Sequence, residues 1–128
     1  MIGLDTNVVI RYLTQDHSIQ SRRATELIER KLSESNPGFI CVVAMAETVW
    51  VLERSYGLTS EELAAAIERM LQADVLVVEN EQKVFTAMTA LKEGRGSFAD
   101  AALGARAGCS CTVTFDQKAL RLAGFDSL

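Results

Sequence analysis

The feature that most restricts the fold of this chain is its alternation of short apolar runs with longer amphipathic stretches. Met1–Leu4, Phe39–Val43, Val75–Val78 and Cys111–Phe115 are four to five residues long and read as strands, the first truncated and the second, β-branched and aromatic-containing, buried. Between them the apolar residues recur at helical spacing. Thr6–Thr14 carries Val8, Val9, Ile10, Tyr12 and Leu13, and Ser18–Ser33 carries Ala24, Leu27, Ile28 and Leu32. Ala44–Tyr56 places Met45, Val49, Trp50, Leu52 and Tyr56 on a wide face, and the next stretch sets Leu63, Ile67, Met70 and Leu71 on one side. A fifth turns Val84, Phe85, Met88 and Leu91 inward, and Phe98–Ala107 is an alanine-rich sixth. Gln117–Ala123 reads as a short last helix, with Gly124-Phe125 leading a terminal edge strand. Every connection is long enough for a crossover, so the strands are expected to run parallel. The expected architecture is a three-layer α/β/α sandwich around a mainly parallel sheet of four to five strands.

Local punctuation supports these boundaries. Asn36-Pro37-Gly38 breaks the second helix, Gly57 fits a helix stop, and Thr59-Ser60-Glu61-Glu62 has the capping-box pattern. Asn80 and Ser97 are candidate caps and Gly94 a stop. With 128 residues, 48% hydrophobic and 23% charged, the chain suits one domain spanning 1–128, with no repeat or linker. No apolar stretch is long enough to span a bilayer, and Met1–Asp5 lacks the basic start of a secretory leader, so a cytoplasmic protein without membrane contact is expected.

Composition narrows the chemistry. Cys41, Cys109 and Cys111 are an odd number and fit reduced thiols, small hydrophobes buried or half-buried near strands, better than a disulfide framework. The single histidine, His17, lies in a polar stretch and is expected on a surface loop, away from any nucleophile. The net charge of −4 argues against holding duplex DNA through bulk charge. Nucleic-acid contact would have to be local or assisted by metal. Arg11, Arg22, Arg23, Lys92, Arg95 and Lys118 are candidate contacts, and Arg95, two residues before the Ser97 cap, is the first choice for RNA.

Four carboxylates then stand out. Asp5 follows the first strand, Glu47 lies in the first helical turn after the second, Asp100 in the first turn after Ser97, and Asp116 after the Cys111–Phe115 strand. In a parallel sheet the carboxyl ends of strands and the starts of following helices share one edge, where ligands bind. Singly, each acid suits a helix start for the ordinary reasons of capping and dipole. Together they are expected to converge. Two carboxylates about 5 Å apart repel by roughly 3 kcal/mol at an effective dielectric near 20, a cost that a divalent cation offsets. An all-oxygen set without His or Cys suits Mg²⁺ or Mn²⁺. Thr6, Asn7 and Thr114 flank the acids and are candidates to orient the carboxylates or metal-bound waters, with ordinary capping the competing role.

The motifs resemble those of PIN domains. Ile2-Gly3-Leu4-Asp5-Thr6-Asn7 is similar to the opening signature, Val43-Ala44-Met45-Ala46-Glu47 to the second motif, Phe98-Ala99-Asp100-Ala101-Ala102-Leu103 to the third, and Thr112 through Leu120 to the fourth. The VapC-type toxins of bacterial toxin–antitoxin pairs look like the closest subgroup. The resemblance implies a Mg²⁺- or Mn²⁺-dependent endoribonuclease with Asp5, Glu47, Asp100 and Asp116 as catalytic metal ligands and Thr114 beside them. It also implies a homodimer and a VapB-like antitoxin, with DNA reached only through that antitoxin. Two rivals remain. A phosphatase of the haloacid-dehalogenase type needs a second aspartate where Asn7 stands, and a non-catalytic RNA- or protein-binding module would use the acids only as caps.

Overall fold

The computed structural model describes residues 1–104 and 109–128. Among these residues are five strands and six α-helices, in the order β1 Ile2–Gly3, α1 Thr6–Thr14, α2 Ser18–Glu26, β2 Gly38–Ile40, α3 Val42–Arg54, α4 Ser60–Gln72, β3 Leu76–Val78, α5 Glu81–Lys92, α6 Phe98–Gly104, β4 Thr112–Thr114 and β5 Phe125–Ser127. All strand pairs are parallel, as the crossover-length connections require. The α/β architecture is therefore the expected one. The expected end of the sixth helix at Ala107 lies outside the described residues.

The strands pair as two sheets. β1, β2 and β3 form one in that order, and β4 and β5 form the other. Among the described residues the hydrogen-bonded pairing thus divides the expected four to five strands between two ladders, within the expected α/β fold. β1 is only two residues long because the chain turns at Asp5 to start α1, so it offers a short edge for pairing. The weak edge strand at Phe125 does form, and Thr112–Thr114 takes Phe125–Ser127 as its partner.

Periodicity places the core well. Met45, Val49 and Leu52 of α3, Leu63, Ile67 and Met70 of α4, and Val84, Met88 and Leu91 of α5 join one buried cluster with Leu4, Val9, Ile10 and Ile40. Phe85 and Trp50 are exceptions: both were expected inward, and both lie more than half exposed. Trp50 instead spreads its ring under the Arg54 guanidinium, 5.9 Å from the ring centroid, within cation–π range.

Several local expectations change for identifiable reasons. His17 lies in the loop between α1 and α2, as expected, and has the added role of N-cap of α2, its Nδ1 accepting from the Gln20 amide at 3.1 Å. The second helix passes into a π turn at Leu27–Lys31 and stops before Ser33. Asn80 caps α5 through its backbone carbonyl in a left-handed conformation, without its side chain. The last helix shrinks to a 3₁₀ turn at Ala119–Arg121. All three cysteines are free thiols, and Cys109 is exposed where a buried or half-buried position was expected. The Asp126 carboxylate, accepting from Cys111, raises that thiol's pKa. Among the described residues no helix is long and apolar enough to cross a membrane.

Candidate functional site

Asp5 sits where β1 ends. The Leu4 amide still donates to the Phe39 carbonyl at 2.8 Å, and the next residue turns to become the N-cap of α1. The Asp5 side chain accepts a long hydrogen bond, 3.4 Å, from the Asn7 amide. One of the first orphan amides of α1 is thereby engaged while the carboxylate stays exposed. Asn7 serves the site through this backbone contact.

Thr6 makes the connection that matters most. It is buried, and its hydroxyl donates to Glu47 Oε2 at 2.9 Å across 41 residues of chain. The ends of β1 and the body of α3 are therefore joined at this point, with α1 packed on α3. Glu47 is exposed, and among the described residues its other oxygen has no hydrogen-bond partner. Sequence reading placed this acid in the first helical turn. It lies in the second, because α3 begins at Val42 with Cys41 as its N-cap. The earlier start has a tertiary cause: the Val42 amide donates to Glu79 Oε1 at 2.8 Å, a cap supplied from just beyond β3.

Asp100 stands in the first turn of α6 behind Ser97, whose hydroxyl accepts from the Asp100 amide at 3.2 Å. The expected serine cap is present, and α6 packs against α3 and α5. Asp116 follows β4 by two residues. Its amide donates to Thr114 Oγ1 at 3.0 Å, and its Oδ1 accepts from the Lys118 amide at 2.9 Å. Thr114 therefore shapes the turn that carries Asp116.

The geometry joins Asp5 with Glu47 through Thr6 and sets Asp100 on a helix that neighbours α3. Asp116 follows β4, whose hydrogen-bonded partner among the described residues is β5, whereas Asp5 follows β1 of the β1–β2–β3 ladder. Among the described residues no three His, Cys, Asp or Glu side chains are grouped closely enough to hold one metal ion. The donor chemistry nevertheless fits a hard cation: carboxylate oxygens, one of them oriented by a hydroxyl, with no soft ligand. Arg95, the leading RNA contact from sequence, is exposed and ion-paired with Glu93 at 2.8 Å.

Sequence reading missed Asp16. Tyr56 and Thr14 donate to it and Arg11 bridges it at 3.1 Å, which lowers its pKa to about 2. Only the i, i+5 spacing of Arg11 and Asp16 hinted at that contact; Tyr56 comes from a distant helix end.

Individual curated proteins and solved structures give no match to the chain. The PIN domain model matches residues 2–124, nearly the full length and all four acidic motifs. With its parallel α/β fold and its acids at strand ends and helix starts, the chain belongs to the PIN domain family, whose members are generally nucleases.

Proposed function

We propose that this protein is a metal-dependent endoribonuclease, with Asp5 and Glu47 as the centre of its cation site. The observation that carries the reading is the Thr6–Glu47 hydrogen bond, which brings the first and second acidic motifs of a PIN domain to one place. Asp100 and Asp116 complete the proposed donor set. When bound, a Mg²⁺ or Mn²⁺ ion supplies charge neutralisation at the phosphate and a more acidic water. The chain's own residues prepare for this. Thr6 fixes one Glu47 oxygen and leaves the other for the cation, the Asn7 amide steadies Asp5, and Thr114 with the Lys118 amide holds the Asp116 turn.

The proposal extends to the biological setting implied by the VapC-type resemblance: the toxin of a toxin–antitoxin pair, a homodimer restrained by a VapB-like antitoxin, working in the cytoplasm. The test uses purified protein. Mn²⁺ or Mg²⁺ should raise the melting temperature saturably, and RNA should be cut with metal and left intact in EDTA. Asp5→Asn and Asp100→Asn should each abolish cutting while remaining folded. Cleavage that persists in EDTA or in both variants sinks the reading. Folded protein with no metal response at all leaves the non-catalytic binding module in its place.

A further inference from the structure

Beside the Asp5 end of α1, the first two helices leave a groove of about 480 Å³. Asn7 and Arg11 line it from α1, and Gln20, Arg23, Leu27 and Lys31 line it from α2 and the π turn. Arg23, Leu27 and Lys31 follow at four-residue steps and so form one stripe. The stripe ends in the π turn, closed by the Leu32 amide on the Leu27 carbonyl at 2.9 Å. Such turns are rare and gather at functional positions.

The charge here opposes that of the whole molecule. Three cations line the groove against one carboxylate, Glu26, in a chain of net charge −4. Arg11 is bound to Asp16 and Gln20, but Arg23 and Lys31 have no ion-pair partner among the described residues. The groove also reaches the candidate site, because Asn7 both lines it and donates its amide to Asp5. The two helices pack in contact, so the groove is a furrow on their surface, where a single strand can lie lengthwise with successive phosphates against the exposed cations.

We infer that this groove carries the phosphodiester backbone of single-stranded RNA toward the Asp5–Glu47 site, with Arg23 and Lys31 as its phosphate contacts. The inference rests on the nuclease reading for its destination, and on the groove itself for its binding. It replaces Arg95 as the first choice for RNA contact, and it adds Lys31, which the composition of the chain did not single out.

The experiment measures binding of a fluorescein-labelled single-stranded RNA oligonucleotide by anisotropy, in EDTA, across a salt series. The test protein is Arg23→Gln/Lys31→Gln. The control is Arg30→Gln/Arg69→Gln, which removes the same charge at exposed positions outside the groove. Loss of two phosphate contacts should reduce the salt slope by about 1.4 and affinity by about tenfold, with less than about twofold change in the control. Arg23→Lys/Lys31→Arg, which keeps both charges, should bind like wild type and shows that the site tolerates substitution. With metal present, the groove variant should raise KM for RNA cleavage and leave kcat unchanged. Wild-type affinity in the groove variant overturns the inference and leaves the groove to an acidic protein segment. Equal losses in both glutamine doubles overturn it in favour of diffuse charge. If wild type binds through the groove but never cuts RNA, the nuclease reading fails and the groove stands.

Discussion

Replacing Thr6 by valine is the sharpest probe of how the candidate site is assembled. Valine keeps the branched shape and the volume and removes only the hydroxyl, so packing at this buried position changes little. The lost interaction is a hydrogen bond to a carboxylate at 2.9 Å. Such bonds contribute about 1.5–3 kcal/mol when shielded. Glu47 is exposed, so water competes at the acceptor, and the discounted contribution is about 1 kcal/mol. For a chain of this length that corresponds to a melting temperature lower by about 4 °C. A cycle of Thr6→Val, Glu47→Ala and the double variant, read by urea unfolding, should give a coupling energy near 1 kcal/mol. Thr6→Ser should recover most of it, because the hydroxyl returns. A coupling below about 0.3 kcal/mol would refute the claim that this contact ties α1 to α3.

Two further outcomes test other parts of the molecule. Thr48 is fully buried on α3 and its hydroxyl has no hydrogen-bond partner among the described residues, so Thr48→Val should raise stability by about 1 kcal/mol in urea unfolding; a loss of similar size would mean that the hydroxyl has a bound partner such as water. Asp16 is held ionised by Tyr56, Thr14 and Arg11 down to a pKa of about 2, so its contribution is present above the ordinary carboxylate range and is lost as pH falls from about 4 toward 2. Asp16→Asn should therefore flatten the fall of stability over that interval, and an unchanged acid limb would show that the Tyr56–Asp16 contact is not maintained in solution.

How much was legible beforehand depended on whether each feature was local. The helical period of α4, the Thr59 capping box and the Ser97 cap are set by neighbours within four residues, and each appears in the structure as the sequence implies. The run Phe39–Val43 was not readable in this way. A short continuous apolar run has no period to separate strand from helix, and two valines at its end favour the strand. Glu79, contributed from the far side of β3, caps the Val42 amide and moves the helix start back. That single tertiary contact displaces Glu47 from the first turn of its helix to the second.

The same division runs through the acids. Asp5, Asp100 and Asp116 each fall at a strand end or helix start: Asp5 and Asp116 accept from the amide two residues on, and the Asp100 amide donates to the Ser97 hydroxyl. Those contacts are local, so they were visible as capping signals and as a functional pattern at once. Convergence is a separate property, because it requires lateral pairing between strands remote in sequence. The structure shows one such link, from Thr6, the residue after Asp5, to Glu47. Asp116 follows a strand that, among the described residues, pairs with β5 alone, and its turn is held by Thr114 and the Lys118 amide. A carboxylate held by its own turn keeps its orientation whether or not its partners are near, whereas Glu47 depends on a hydroxyl from another element. Changes at Thr6 should therefore act through Glu47, and changes at Thr114 through the turn that carries Asp116.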